Sequence, residues 1–151
     1  MKKKHNLALI ISFVTIFLVA FIGSFLTDSK SSWYESIKPS ITPPNFVFPI
    51  AWTTIFILLA FSLYFSWVHL KDQKKVILFY GINFVLNILW SLFFFTLKNP
   101  TLALVDIVPL WVSILGLFLI NWKKNKISSW LVLPYLLWVT FATILNVLMV
   151  I

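Results

Sequence analysis

The sequence contains no cysteine and no arginine, and it has few charged residues of any kind. Without cysteine, disulfides and thiolate chemistry are excluded. Charged residues make up 11% of the 151 residues and hydrophobic residues 61%, whereas a soluble domain is about a quarter charged and about half apolar. The chain therefore carries more apolar side chain than a water-facing surface accommodates, and an ordinary soluble fold is excluded.

The hydrophobic residues fall into five long runs, each close to the ~20 residues that cross ~30 Å of hydrocarbon as an α-helix. Strands of a membrane barrel are about half as long and alternate in polarity. The sequence therefore predicts an all-α integral membrane protein, a five-helix bundle with spans at residues 7–26, 50–70, 76–97, 102–122 and 130–151. Short linkers between the last four spans predict antiparallel neighbours in one domain, residues 1–151.

The first run resembles a signal peptide, because it follows three lysines. It is longer than the usual apolar region of such a peptide, however, and no small-residue cleavage site follows it. We therefore expect it to be retained as the first helix.

All twelve basic residues are lysines, and they give a net charge of +8. They lie in the gaps between apolar runs rather than along one stripe, so we expect a lipid bilayer as partner and no nucleic acid. Nine fall at the N-terminus and in the second and fourth loops, and three on the other side: Lys30, Lys38 and Lys98. The positive-inside rule then predicts a cytoplasmic N-terminus, with the first loop and the C-terminus on the opposite side.

The one long connection, residues 27–49, holds Trp33, Tyr34 and four of the seven prolines: Pro39, Pro43, Pro44 and Pro49. Proline restricts its own φ and disfavours helical geometry in the residue before it. The segment is therefore predicted to be stiff and extended rather than helical. Long ordered loops are often lids or binding loops, so we expect this one to cap one end of the bundle.

Ionisable groups are nearly absent from the spans. The one acid, Asp106, lies near the start of the fourth span, where the helix dipole favours a carboxylate by about 0.3–1 kcal/mol. A capping role is the leading interpretation, and a functional one the alternative. The two histidines, His5 and His69, belong to no cluster of ligands. We expect no metal site, no proton relay and no resident cofactor.

Two of the spans carry polar and aromatic residues on a single face, since residues at i, i+3, i+4 and i+7 share a face. The third span has Asn83, Asn87, Trp90, Ser91 and Phe94, and the fifth has Tyr135, Trp138, Ala142, Leu145 and Asn146. Trp52 opens the second span. Hydrogen bonding between helices is one interpretation of the asparagines. The tryptophans instead favour an aromatic cavity for a large, flat, apolar ligand with a polar edge.

Several motifs carry a family resemblance. They are Trp33-Tyr34 with Lys38-Pro39, Pro43-Pro44 with Phe48 and Trp52, Asn83-x-x-x-Asn87-x-x-Trp90-Ser91-x-Phe93-Phe94, Ala103-Leu104-Val105-Asp106, and Pro134-Tyr135-x-x-Trp138-x-x-Phe141-Ala142-Thr143-x-Leu145-Asn146. With these motifs the chain resembles the translocator protein family, also called tryptophan-rich sensory proteins. The match runs from the first loop to the last residue.

The resemblance implies a homodimeric five-helix receptor that binds porphyrins, such as protoporphyrin IX, and isoquinoline and benzodiazepine drugs. It also implies light- and oxygen-dependent breakdown of protoporphyrin IX, in which Trp52 and Trp138 take part; whether the protein is an enzyme stays open. The implied ligand-binding residues are Tyr34, Pro43, Pro44, Trp52, Asn87, Trp90, Ser91, Trp138, Ala142 and Leu145.

The composition, rich in lysine, isoleucine and phenylalanine, favours a bacterial cell membrane as the location. We expect no sterol binding through the C-terminal motif of the animal members, because that pattern needs a tyrosine followed closely by a basic residue. A transporter or carrier of porphyrin or another hydrophobic ligand is the alternative function. Five spans do not divide into equal repeats, which disfavours a repeat-built transporter.

Overall fold

A computed structural model describes residues 2–151, with side chains from Lys4 onward. Five helices are long and apolar enough to cross a membrane: α1 (Lys2–Leu26), α3 (Val47–His69), α4 (Gln73–Ser91), α5 (Pro100–Trp122) and α6 (Lys126–Leu148). Two short elements complete the fold, namely α2 (Ser32–Ile37) in the first loop and a π-helical turn (Leu92–Thr96) that continues α4. The prediction of an all-α five-helix bundle is confirmed.

Three of the long helices begin two to four residues before their apolar runs, because polar caps decide where they start. Side-chain oxygens of Asp72, Asn99 and Asn125 accept hydrogen bonds from the backbone N–H three residues later, at 3.2, 2.9 and 3.1 Å. Such caps satisfy N–H groups that have no partner within the helix. Hydropathy marks the part of a helix that lies in lipid, whereas the cap marks its first turn.

The first loop differs from its prediction as an extended segment. Residues Ser32–Ile37 form α2, and α3 already begins at Val47, so Pro49 lies in its first turn. Ser31 caps α2 by accepting from the Tyr34 N–H at 3.3 Å. The prolines did not prevent either helix, because Pro39 follows α2 and a proline in the first turn lacks only an N–H that the helix does not use.

Asp106 does not cap α5, because Asn99 already does. The Asp106 side chain lies in the second turn, the residue is only 7% exposed, and its Oδ2 has no hydrogen-bond partner among the described side chains. The prediction of a capping role is therefore wrong.

Around the bundle the helices follow the order α1, α3, α6, α5, α4, and α4 returns to α1. Although a short loop joins α3 to α4, these two helices touch each other much less than α3 touches α1 and α6. The predicted neighbours α3 and α4 are thus in contact, although α4 packs mainly against α5. Helices α3 and α4 both line the cavity described below, which lies at the end that carries the first loop.

At the other end, where most of the lysines lie, α3, α4, α5 and α6 meet through buried polar side chains that we call the serine cluster: Ser62, Ser66, Tyr80, Asn121 and Ser128. None is more than 1% exposed. The Tyr80 hydroxyl lies 2.8 Å from the Ser62 Oγ and 2.9 Å from the Ser66 Oγ. Ser66 also donates to the Asn121 Oδ1 at 2.8 Å. Every member therefore has a partner, and the cluster connects the four helices at this end of the bundle.

Candidate ligand-binding site

A cavity of about 440 Å³ lies at the lid end of the bundle, beneath the first loop. Its walls come from α1, α3, α6 and α4 with the π-helical turn, whereas α5 contributes no lining residue. Most of the lining is aromatic or aliphatic. This volume falls within the ~300–1,000 Å³ range of small-molecule sites, which are mostly apolar with a few polar groups.

Eight of the ten residues that the resemblance assigned to a ligand site line this cavity: Tyr34, Trp52, Asn87, Trp90, Ser91, Trp138, Ala142 and Leu145. The other two, Pro43 and Pro44, are not part of the lining. They precede α3, where the Pro44 carbonyl accepts from the Val47 N–H at 2.9 Å. The two prolines thus shape the chain where it enters the cavity wall, and their contact with a ligand stays a prediction.

Trp52 and Trp138 are interleaved across the contact between α3 and α6. The Trp52 ring meets Tyr135 edge to face, with centroids 6.1 Å apart, and stacks on Phe56 at 5.5 Å. One turn away, the Trp138 ring meets Phe48 at 5.8 Å. Aromatic contacts of this geometry fix ring orientation, so both indoles are held in place as one wall of the cavity.

The indole N–H groups of the helical tryptophans fall into two classes. Trp90 donates to the Asn146 Oδ1 at 3.3 Å, and Trp111 donates to the Thr140 Oγ1 at 2.8 Å. By contrast, the Nε1 atoms of the other six tryptophans have no acceptor within the described part of the chain, residues 4–151, and of these six Trp52 and Trp138 line the cavity. Both side chains are only half-buried, so these two donors are available to a ligand in the cavity.

Two further amides stabilise the floor of the cavity. Asn87 donates to the Tyr135 hydroxyl at 2.9 Å, and Asn146 donates to the Pro100 carbonyl at 2.8 Å while accepting from Trp90. The interpretation as a hydrogen-bonding contact between helices therefore holds for Asn146, because both its amide oxygen and its amide nitrogen have partners on other helices. Asn87 combines both roles, since it links α4 to α6 and also lines the cavity.

Tyr34 is the residue of α2 that closes the cavity, and it is 3% exposed. Its ring packs against Phe94 and Phe95, with centroids 6.2 and 5.6 Å away. Both phenylalanines belong to the π-helical turn, and such turns are frequent at functional sites. Burial, and to a smaller degree the neighbouring Glu35 carboxylate, raises the pKa of the Tyr34 hydroxyl, which therefore stays protonated at physiological pH.

A small charged group holds the lid in shape on its outer side. Glu35 pairs with Lys38 one turn later in the chain, and it accepts a hydrogen bond from the Asn45 amide at 3.2 Å. The hydrogen bond from Lys38, followed by that from Asn45, lowers the pKa of Glu35 below its ordinary value of 4.5. The carboxylate therefore ties α2 to the segment that leads into α3.

The wall provided by α1 is a feature that sequence reasoning missed. Ala20, Gly23, Ser24 and Thr27 all line the cavity, and they have the i, i+3, i+4, i+7 spacing of a single helical face. The spacing of these small residues was the only feature of the sequence that could have indicated this wall. A Cβ added at Gly23 would meet no atom within 4 Å, so the face leaves open space where a larger side chain would protrude into the cavity.

Comparisons with known proteins agree with this architecture. The model of the TspO/MBR family matches residues 11–151. The tryptophan-rich protein TspO of Archaeoglobus fulgidus is 37% identical over 143 residues, which cover 93% of each chain. That of Chlorobaculum tepidum is 41% identical over 134 residues, covering 85% of this chain and 84% of the relative. The human translocator protein is 29% identical over 136 residues, covering 85% of this chain and 80% of the relative. The chain, an integral membrane protein, therefore belongs to the TspO/MBR family.

Proposed function

We propose that this protein is a membrane receptor or sensor whose cavity binds a flat, largely apolar tetrapyrrole such as protoporphyrin IX. Drug-like isoquinolines and benzodiazepines are the second ligand class. One related protein, from Cereibacter sphaeroides, is named a tryptophan-rich sensory protein. With the lysine-rich end in the cytoplasm, the lid faces the opposite side of the membrane.

The observation that carries the proposal is the pair of unpaired indole donors in an aromatic wall. Trp52 and Trp138 offer flat π surfaces for stacking, and their N–H groups point to a ligand that carries acceptors within its ring system or at its edge. A polar group without a partner costs about 1–3 kcal/mol when it is shut away from water. A ligand that accepts from these donors removes this cost, and a purely aliphatic ligand does not.

We further propose that the bound porphyrin is degraded in the presence of light and dioxygen. One electron passes from an indole to the excited porphyrin, which leaves an indole radical cation and a porphyrin radical anion. The porphyrin anion passes the electron to dioxygen, which becomes superoxide and adds to the neutral tetrapyrrole. The adduct returns one electron to the indole radical cation, so the indole is regenerated and the net reaction is addition of dioxygen to the porphyrin. The closed lid keeps these species together and excludes bulk water. The chain's own residues supply the electron and the enclosure, and no acid–base pair is required.

The test is a titration of purified protein with protoporphyrin IX, in darkness and then under illumination in air, followed by absorbance. Binding is expected in darkness and a distinct bleached product in light. Trp52→Phe and Trp138→Phe keep an aromatic ring, so they are expected to bind with less than a tenfold loss but to form the product much more slowly. Trp111→Phe lies away from the cavity and is the matched control. Equal product formation by all three variants would refute the electron-donor role.

Transport of the ligand is the competing function. A carrier needs a route that opens to both sides of the membrane, but none of the described residues that line the cavity belongs to the serine cluster at the lysine-rich end. Sealed vesicles that contain the protein are therefore expected to take up no more porphyrin than empty vesicles. Uptake that depends on the protein would favour the carrier over the receptor.

A further inference from the structure

Among the described residues that line the cavity, Lys30 alone has a side chain with a full charge. It is exposed and lies in the first loop just before α2, while the other lining residues are apolar, aromatic or neutral and polar. A single ammonium group beside an apolar space divides the site into an apolar interior and a cationic rim. A ligand that fills both parts has an apolar body and an anionic edge.

The acids of the lid leave this ammonium group without an ion-pair partner. Glu35 is already paired with Lys38 and hydrogen-bonded to Asn45. Asp28 accepts the backbone N–H of Lys30 at 3.3 Å, but no carboxylate within the described residues comes within 4.0 Å of the Lys30 Nζ. Asp28 thus binds the backbone N–H of Lys30, and the Lys30 ammonium group has no ion-pair partner among the described residues.

Local hydrogen bonds fix the place from which the side chain extends. The Ser31 hydroxyl donates to the Asp28 carbonyl at 3.0 Å, and the same oxygen caps α2 by accepting from the Tyr34 N–H. Lys30 is therefore held between a tight turn and the first residue of the lid helix. Its long flexible stem carries three rotatable donors and can bring them to an oxygen atom of a ligand that fills the cavity.

We propose that Lys30 is a specificity-determining residue that pairs with an anionic oxygen group at the edge of the bound ligand. This inference rests on the proposed function, for which the group is a peripheral carboxylate of the tetrapyrrole. Lys30 thereby selects acidic porphyrins over neutral ones and holds the carboxylate outside the apolar interior. A lipid phosphate carries the same chemistry, so the test separates the two sources.

The experiment compares protoporphyrin IX with its dimethyl ester, which has the same ring and no carboxylates. Both are titrated in darkness against protein in nanodiscs of purely zwitterionic lipid. Lys30→Met preserves the length of the side chain and removes its charge. It is expected to weaken binding of the free acid about three- to fivefold, as for an ion pair near the surface, and to leave the ester unchanged. Lys30→Arg is expected to restore most of the affinity.

Lys98→Met is the matched control, because it removes a charge on the same side of the membrane from a residue outside the cavity lining. It is expected to affect neither ligand. The selective loss is also expected to shrink as salt concentration rises.

Equal weakening of acid and ester by Lys30→Met would overturn the inference, since Lys30 would then act on lid packing rather than on charge. An unchanged affinity for the acid, together with loss of anionic phospholipid retained by the purified protein, would assign Lys30 to a lipid phosphate and also overturn it. If the parent protein binds neither porphyrin, the proposed function itself is refuted. If the parent binds both porphyrins and Lys30→Met binds each of them with the affinity of the parent, only the role of Lys30 is refuted.

Discussion

The two ends of the bundle differ in whether their polar side chains all have hydrogen-bond partners. At the lysine-rich end, the serine cluster is fully buried and its hydroxyls and amide pair with one another. At the lid end, Trp52, Trp138 and Tyr34 line the cavity, and their indole N–H groups and hydroxyl have no partner among the described side chains. The residue types alone do not reveal this difference, because both ends contain tyrosine, serine and asparagine. The two sets differ in that every member of the serine cluster is paired, whereas some of the residues that line the cavity keep a free donor.

The largest expected effect comes from emptying the lysine-rich end. Tyr80→Ala removes a ring that is 1% exposed from a packed core, where loss of an aromatic side chain costs about 3–5 kcal/mol. Phe56→Ala removes a ring from the cavity wall, where space already exists, and is expected to cost less than half as much. Unfolding of both variants in mixed detergent micelles measures the difference. Equal losses would mean that the two ends are packed alike.

A smaller effect is expected from filling the cavity at the lid end. Gly23→Leu places an isobutyl group in the cavity and is expected to weaken protoporphyrin binding at least about tenfold, since overlap with a ligand is not relieved within a packed bundle. Gly81→Leu is the matched control, because an added Cβ there also meets no atom within 4 Å but the residue does not line the cavity. Stability is expected to be unchanged in both. Tight binding by Gly23→Leu would place the ligand elsewhere.

The smallest effect concerns the charge on the lid. The pKa of Glu35 is lowered in the folded protein, so the stabilisation by this carboxylate is fully present above its ordinary value of 4.5 and is lost as pH falls through the lowered value. Hydrogen exchange of Ser32–Ile37, corrected for the intrinsic rate, is therefore expected to speed up only below about pH 4.5. Glu35→Gln is expected to show the faster exchange already at neutral pH. The same pH profile in both proteins would exclude Glu35 as the tie.

The sequence predicted the helices well because apolar length alone determines a membrane span. It predicted most of the cavity wall because the third and fifth spans each place their tryptophans and amides on one helical face. The α1 wall escaped prediction, because its only signal is the spacing of small residues, none of which is aromatic, charged or an amide. The helix in the first loop was not predicted either, because the prediction relied on the number of prolines in the loop. Their positions, after α2 and in the first turn of α3, are compatible with both helices. Nor does the sequence show which indole N–H groups are paired, because this depends on neighbours from other helices.

The π-helical turn has a consequence for the register of the chain. Its hydrogen bond from the Leu97 N–H to the Leu92 carbonyl, at 2.9 Å, spans five residues where an α-helix spans four, so the turn contains one residue more than regular geometry would use. Deletion of one residue from Leu92–Thr96 would restore the α-helix and rotate the residues on one side of the deletion by about 100° relative to the other. Phe94 and Phe95 would no longer both face Tyr34. In an alignment, a one-residue gap here would therefore identify relatives in which only one phenylalanine ring packs against the tyrosine of the lid.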